Sequence, residues 1–213
     1  MSKRIAMQEI ENIMRSAPVI PVLVVGDVKS AQPIAEALVK GGLCNLEVTL
    51  RTPCALEVIE EMSRVEGAVV GAGTVTNAQQ LEAAANAGAE FIVAPGLTEP
   101  LAAAAQSMKI PFLPGVSSAG DIMRGMDLGL KHFKFFPAAA SGGLPALKAL
   151  SGPFFDCLFC PTGGIRLDTA PDWLAEPAVL CVGGSWIVPK GPLQTEKIYQ
   201  NAHAAAALSS SSF

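Results

Sequence analysis

The chain is written as a repeat. Eight short apolar runs, each closed by glycine, proline or a small polar residue and followed by a helix-like stretch, recur every roughly 20 to 25 residues. They are Pro21–Val25, Asn45–Arg51, Ala68–Val70, Phe91–Ala94, Pro111–Leu113, Lys131–Pro137, Leu158–Pro161 and Val179–Val182. Parallel strands need a crossover between them, most often a helix, so this alternation predicts an α/β fold with helices outside a parallel sheet. Eight repeats favour a (β/α)8 TIM barrel; a doubly wound open sheet is the other arrangement the pattern permits. Ile5, Ile10, Ile13 and Met14 at broadly helical spacing predict an additional N-terminal helix over residues 1–16, stopped by Pro18.

Local punctuation supports these boundaries. Gly41-Gly42 ends the first crossover helix, and Thr52-Pro53 reads as an N-cap with proline in the first turn of the next. Thr76 and Gln79 have capping-box spacing, and Thr98 and Ser118 open later helices. From Leu193 a last helix is expected to decay into an alanine- and serine-rich frayed tail over residues 204–213. With 213 residues, half of them hydrophobic, the whole chain is expected to form one domain around one large core.

Composition removes several function classes. A net charge of -4 gives no basic balance to attract nucleic acid or an anionic membrane, so any anion site must be local. No run reaches spanning length without Gly, Pro or a charge, and Gln8, Glu9 and Glu11 stand where a signal peptide would be apolar, so a cytoplasmic protein is expected. The five cysteines are an odd number set mostly in apolar runs, which argues against a disulfide framework. Cys157-Leu158-Phe159-Cys160 has metal or redox spacing but no second pair, and the two histidines, His132 and His203, lie far apart. No metal and no cofactor are expected.

The polar residues inside the strand runs carry the chemistry. In Lys131–Pro137, alternation sends Phe133 and Phe135 to one face and Lys134 to the other. Desolvation disfavours an ammonium group, so an amine inside a packed barrel can attack a ketone; it can equally be a cation paired for structure alone. In Leu46–Arg51 the same alternation turns Glu47, Thr49 and Arg51 inward. If Glu47 answers Lys134, Arg51 is left as a cation near the mouth, suited to a substrate carboxylate. Thr162-Gly163-Gly164 and Gly183-Gly184-Ser185 are glycine turns at the last two strand ends, where barrels often cradle phosphate on backbone N–H groups. Gly71-Ala72-Gly73 lacks the third glycine of a dinucleotide fingerprint, and no P-loop lysine follows any glycine run.

Taken together, Leu46-Glu47-Val48-Thr49-Leu50-Arg51-Thr52, Val70-Gly71-Ala72-Gly73-Thr74, Pro95-Gly96-Leu97-Thr98-Glu99, Phe133-Lys134-Phe135-Phe136-Pro137-Ala138, Phe159-Cys160-Pro161-Thr162-Gly163-Gly164-Ile165 and Val182-Gly183-Gly184-Ser185-Trp186 resemble, in order, the motifs of the 2-dehydro-3-deoxy-phosphogluconate / 4-hydroxy-2-oxoglutarate aldolases. The resemblance implies a class I, metal-independent aldolase on a (β/α)8 barrel, assembled as a homotrimer and acting on a 2-keto acid that carries phosphate. It implies Lys134 as the Schiff-base lysine and Glu47 as the acid/base. Arg51, Thr74 and the backbone near Pro95 would hold the carboxylate end. Gly163, Gly164, Gly184 and Ser185 would hold the phosphate, with Thr162 and Phe136 lining the pocket. One departure stands out: after Phe136-Pro137-Ala138 this chain has Ala139 where the family often has glutamate, which alters the pocket rim and not the choice of Glu47. A phosphate-sugar epimerase or isomerase on the same barrel, or a non-catalytic binder of phosphorylated acids, would share the glycine turns without needing an imine.

Overall fold

A computed structural model describes residues 2–208. Strand and helix alternate along it. Helix α1 (Ser2–Arg15) leads into β1 (Val19–Leu23), α2 (Ala31–Lys40), β2 (Asn45–Thr49), α3 (Ala55–Met62), β3 (Val69–Gly73) and α4 (Ala78–Asn86). Then come β4 (Phe91–Val93), α5 (Glu99–Met108), β5 (Phe112–Leu113), β6 (Gly115–Val116), α6 (Ala119–Asp127) and β7 (His132–Phe135). The chain continues through α7 (Gly143–Ser151), β8 (Leu158–Pro161), α8 (Ala170–Leu174), β9 (Val182–Gly184) and α9 (Thr195–Ala206).

The strands form a curled parallel sheet in the order β5-β4-β3-β2-β1-β9, and β6-β7-β8 form a second parallel ladder. The fifth repeat is where the expected eight uniform strands are not met. Pro114 has no N–H to give a neighbour, and it splits that run into β5, which pairs with β4, and β6, which pairs with β7. Its carbonyl still accepts from the Lys134 amide at 2.8 Å. Between β8 and β9 the pairing is reduced to single bridges, Phe159 with Val179 and Thr162 with Gly183.

Because side chains alternate along a strand, the sheet serves two cores. Leu46, Val48, Val70, Ala72, Ile92, Phe133 and Phe135 face outward and pack with helix residues such as Leu38, Ile59, Leu81 and Trp173. Ile20, Phe91, Val93, Leu113 and Leu180 face the inside of the curl, where Ile10 and Met14 of α1 close over them. The N-terminal helix thus acts as a plug beneath the interior. Asn45, at the start of β2, fastens it by donating to the Ile13 carbonyl at 2.8 Å and to the Ser16 hydroxyl.

Of the helix starts expected from the sequence, Ser118 is capped as its spacing suggests, Thr98 stands at the N-cap of α5 without a side-chain bond, and two others shift. Ser118 and Asp121 form a reciprocal capping box at α6. Thr52 does not cap α3: its hydroxyl donates to the Val25 carbonyl at 2.8 Å, and the helix starts three residues later behind Cys54. At α4 the cap is Asn77, one residue beyond Thr76, whose amide and hydroxyl engage the Gln80 side chain instead. Part of the stretch expected to fray is helical. Residues 204–206 are the last turn of α9, with Ala205 buried, and residues 209–213 lie outside the described residues.

His132, at the start of β7, is 6% exposed beneath α1. Its Nε2 lies 3.4 Å from Glu11 Oε2, a carboxylate already held by Arg15 at 2.8 Å, and among the described residues no hydrogen bond satisfies either ring nitrogen. Burial pushes its pKa below the usual 6.5, opposed by Glu11 and reinforced by Arg15 and Lys131. The folded state therefore binds fewer protons than the unfolded one just below that value, so stability should fall as pH drops through about 6.5. Urea unfolding between about pH 5 and 7 should show a shallower pH slope for His132→Gln than for the parent chain. An equal slope would show that this imidazole is not the group responsible.

Candidate active site

Lys134 and Glu47 meet inside the curl. Lys134 sits on β7 between the outward-facing Phe133 and Phe135, and Glu47 on β2 between Leu46 and Val48, so each strand's pleat directs its one charged side chain inward. The amine donates to Glu47 Oε1 at 2.9 Å and Oε2 at 3.3 Å, with the two residues 5% and 3% exposed. Such enclosure strengthens the attraction between them and makes either charge costly without the other. The Phe136 ring adds a cation–π contact, its centroid 5.4 Å from the Lys134 nitrogen.

Gly73 makes the space for that carboxylate. A Cβ on it would lie 2.3 Å from Glu47 Oε1 and 2.7 Å from its Cγ. The next residue, Thr74, has φ 61°, a left-handed conformation that a β-branched side chain adopts at a cost of about 1–3 kcal/mol. Strain of that kind persists where the surrounding structure fixes the backbone, and here it falls on the rim above β3.

The remaining expected residues stand on the same rim. Arg51 follows β2, is exposed, and has no carboxylate within ion-pair distance among the described residues; its Nε donates to Thr49 Oγ1 at 3.2 Å. Pro95 follows β4, with its carbonyl packed so closely on Gly115 of β6 that no side chain fits there. Thr162 follows β8 and is buried, its hydroxyl 3.4 Å from the Cys160 carbonyl and against Gly183 of β9. Gly163 and Gly164 have φ of 102° and 80°, and turn the chain past Phe136, Pro137 and Ala139. The Ala139 amide donates to the Gly163 carbonyl at 3.0 Å, and Ala139 Cβ occupies the space over Gly164. Gly184 closes β9 and Ser185, exposed, follows it.

Cys157 and Cys160 are not a joint site. The pleat of β8 puts Cys157 in the outer core and Cys160 in the inner one, and burial pushes the Cys157 thiol up to about 11. Among the described residues no group of three or more His, Cys, Asp or Glu side chains could hold a metal ion, and no helix is long and apolar enough to cross a membrane.

A lysine in contact with a carboxylate inside a parallel α/β sheet, below two glycine turns, also describes a known set of proteins. The family model for KDPG and KHG aldolases, KDPG being 2-dehydro-3-deoxy-phosphogluconate, matches residues 10–203. The chain belongs to the KDPG and KHG aldolase family. It is thereby a lyase, of the aldolase kind. It is 57% identical over 201 residues to the 2-dehydro-3-deoxy-phosphogluconate aldolase of Zymomonas mobilis, covering 94% of this chain and 97% of that protein. A crystal structure of a Z. mobilis 2-keto-3-deoxy-6-phosphogluconate aldolase with 3-phosphoglycerate superimposes with a TM-score of 0.95 at 56% identity, over 97% of this chain and 99% of that one. The KDPG aldolase of Legionella pneumophila, with pyruvate captured as a covalent carbinolamine, matches with a TM-score of 0.90 at 44% identity, over 93% of this chain and 98% of that one.

Two features of this candidate site are not legible in the sequence. In the sequence Gly73 belongs to an incomplete nucleotide motif and to one of the aldolase-like motifs, but nothing in one sequence tells a glycine that makes room from a glycine that makes a turn. Thr49 was placed inward without a task, although its lying between Glu47 and Arg51 was the available signal. For Gly73→Ala, the added methyl must displace Glu47 from Lys134. Aldolase kcat/KM should fall about a hundredfold or more while the chain remains folded, read by steady-state kinetics beside thermal unfolding. Full activity would mean that the carboxylate has room to move without harm.

Proposed function

We propose that Lys134 forms the Schiff base and Glu47 moves the protons in an aldolase that cleaves 2-dehydro-3-deoxy-6-phosphogluconate to pyruvate and glyceraldehyde 3-phosphate, and also 4-hydroxy-2-oxoglutarate to pyruvate and glyoxylate. The observation that carries this reading is the enclosed Lys134–Glu47 contact at 2.9 Å in a member of this family.

The amine reaches its nucleophilic form by passing a proton to its neighbour, and attacks the C2 ketone to give a carbinolamine. Loss of water yields a protonated imine, whose positive nitrogen draws the electron pair out of the C3–C4 bond. The C4 hydroxyl gives up its proton to Glu47 as that bond breaks, so C4 leaves as an aldehyde and C1–C3 remain as an enamine. Protonation at C3 and hydrolysis of the imine release pyruvate and restore the lysine. Each proton taken up at one step is returned at another, so one carboxylate suffices.

Arg51 is proposed to hold the substrate carboxylate with Thr74 and the backbone near Pro95, supported by its lack of a carboxylate partner among the described residues. Gly163, Gly164, Gly184 and Ser185 are proposed to hold the phosphate, and Thr162 and Phe136 to line the space between. The eight repeats are proposed to complete a (β/α)8 barrel through β5 and β6 as one interrupted strand and through the β8–β9 bridges. A homotrimer is proposed on the family resemblance, and a cytoplasmic location on the charge pattern of the sequence.

Incubation with pyruvate and borohydride should fix a three-carbon adduct on the peptide holding Lys134, and Lys134→Ala should lose both adduct and turnover. An adduct elsewhere, by mass spectrometry of a digest, would overturn the assignment; an epimerase or a simple binding protein would give none. Glu47→Gln should retain substrate binding and lower kcat by roughly a hundred- to ten-thousandfold. A near-normal kcat would reduce Glu47 to a structural partner.

A further inference from the structure

Thr49 is 1% exposed and lies on β2 between the two side chains assigned to catalysis and carboxylate binding. A valine would fill the same volume and suit a strand as well, so the buried hydroxyl requires its own account. Its hydroxyl donates to the Leu23 carbonyl of β1 at 2.7 Å and accepts from Arg51 Nε at 3.2 Å. A hydroxyl has one proton. With that proton committed to Leu23, a lone pair is what faces the guanidinium, and the direction of the chain Arg51 to Thr49 to Leu23 is fixed.

A guanidinium can grip a carboxylate along the edge that joins Nε to one Nη, or along the edge formed by the two Nη groups. Thr49 occupies Nε. We propose that Thr49 is a positioning residue: anchored to β1 at Leu23, it holds the Arg51 guanidinium so that its two Nη groups are presented to the carboxylate of the 2-keto acid. Arg51 is exposed and otherwise unpaired among the described residues, so without this hold its long side chain would have to be ordered by each arriving substrate. The inference rests on the reading of Arg51 as the partner of the substrate carboxylate.

The test is a double-mutant cycle on the full chain with Thr49→Val, Arg51→Ala and both together, plus Thr49→Ser. Pyruvate affinity is read from the concentration dependence of borohydride trapping, kcat and KM from turnover, and folding from thermal unfolding. Thr49→Val should weaken pyruvate binding about tenfold and raise KM more than it lowers kcat, the loss expected for one oriented hydrogen bond. Thr49→Ser should restore affinity, and in the Arg51→Ala background Thr49→Val should cost nothing further. An equal loss in both backgrounds, or none in either, would overturn the inference. Normal pyruvate affinity in Arg51→Ala alone would instead overturn the reading of Arg51 beneath it. If Thr49→Val does not fold, Thr49→Ala, which also lacks the hydroxyl, takes its place in the cycle.

Discussion

The contact between Lys134 and Glu47 is the constraint around which the interior is arranged. Two opposite charges removed from water are a poor source of stability, since desolvation consumes most or all of their attraction and apolar residues of similar volume often do as well. Their enclosure at 5% and 3% exposure is therefore hard to explain as architecture. It is easily explained by chemistry. A carbonyl addition needs an amine that can lose its proton and a nearby group to take it, and an imine must be shielded from stray water until cleavage is complete.

The rest of the fold makes that enclosure possible. Ile10 and Met14 of α1 close the lower end of the curl over Phe91, Val93, Leu113 and Leu180, so the charged pair has an apolar floor. Gly73 leaves the volume that the carboxylate fills. The outward faces of β2 and β7 are held by Leu46, Val48, Phe133 and Phe135 against the helices, which leaves inward as the one direction for Glu47 and Lys134. Parallel pairing then brings every strand's C-terminal end to a single rim, where Arg51, Thr74, Pro95, Thr162 and Ser185 emerge from five different segments. A 2-keto acid bound at the pair would have its carboxylate and its distal phosphate within reach of that rim.

What was legible in the sequence is what depends on parity and punctuation. Period two assigned Phe133 and Phe135 to one face and Lys134 to the other, and Leu46 and Val48 against Glu47, without any knowledge of packing. Ser118 opened its helix as its spacing with Asp121 allows. Parity says nothing about where a side chain finds its partner in three dimensions. Thr52 resembled a cap because a cap is a local bond, yet the Val25 carbonyl, far away in sequence, claimed its hydroxyl. In the sequence Pro114 marks the end of a strand, whereas in the fold its missing N–H interrupts a run that resumes at Gly115 and pairs with the strand carrying Lys134. The alanines at 204–206 looked like frayed chain by composition, but Ala205 is buried in the core, an effect of tertiary packing that composition does not carry.

Local preference and observed structure disagree most along the rim. A threonine adopts φ 61°, an arginine stands exposed without an acidic partner among the described residues, and below them a lysine is buried. Elsewhere the chain largely follows its own rules, apart from Lys109 at φ 55° behind α5 and the buried His132 ring beneath α1: β-branched and aromatic residues in strands, alanine-rich helices, and caps within a residue or two of where spacing puts them. A sequence selected only to fold would have little reason to place a strained threonine and a buried charged pair so near each other. The strain at Thr74, the exposed Arg51 with no acidic partner among the described residues and the buried pair beneath them support the proposal that this rim is where substrate is bound. The hydroxyl of Thr49 ties the two levels together, joining the strand that carries Glu47 to the arginine above it.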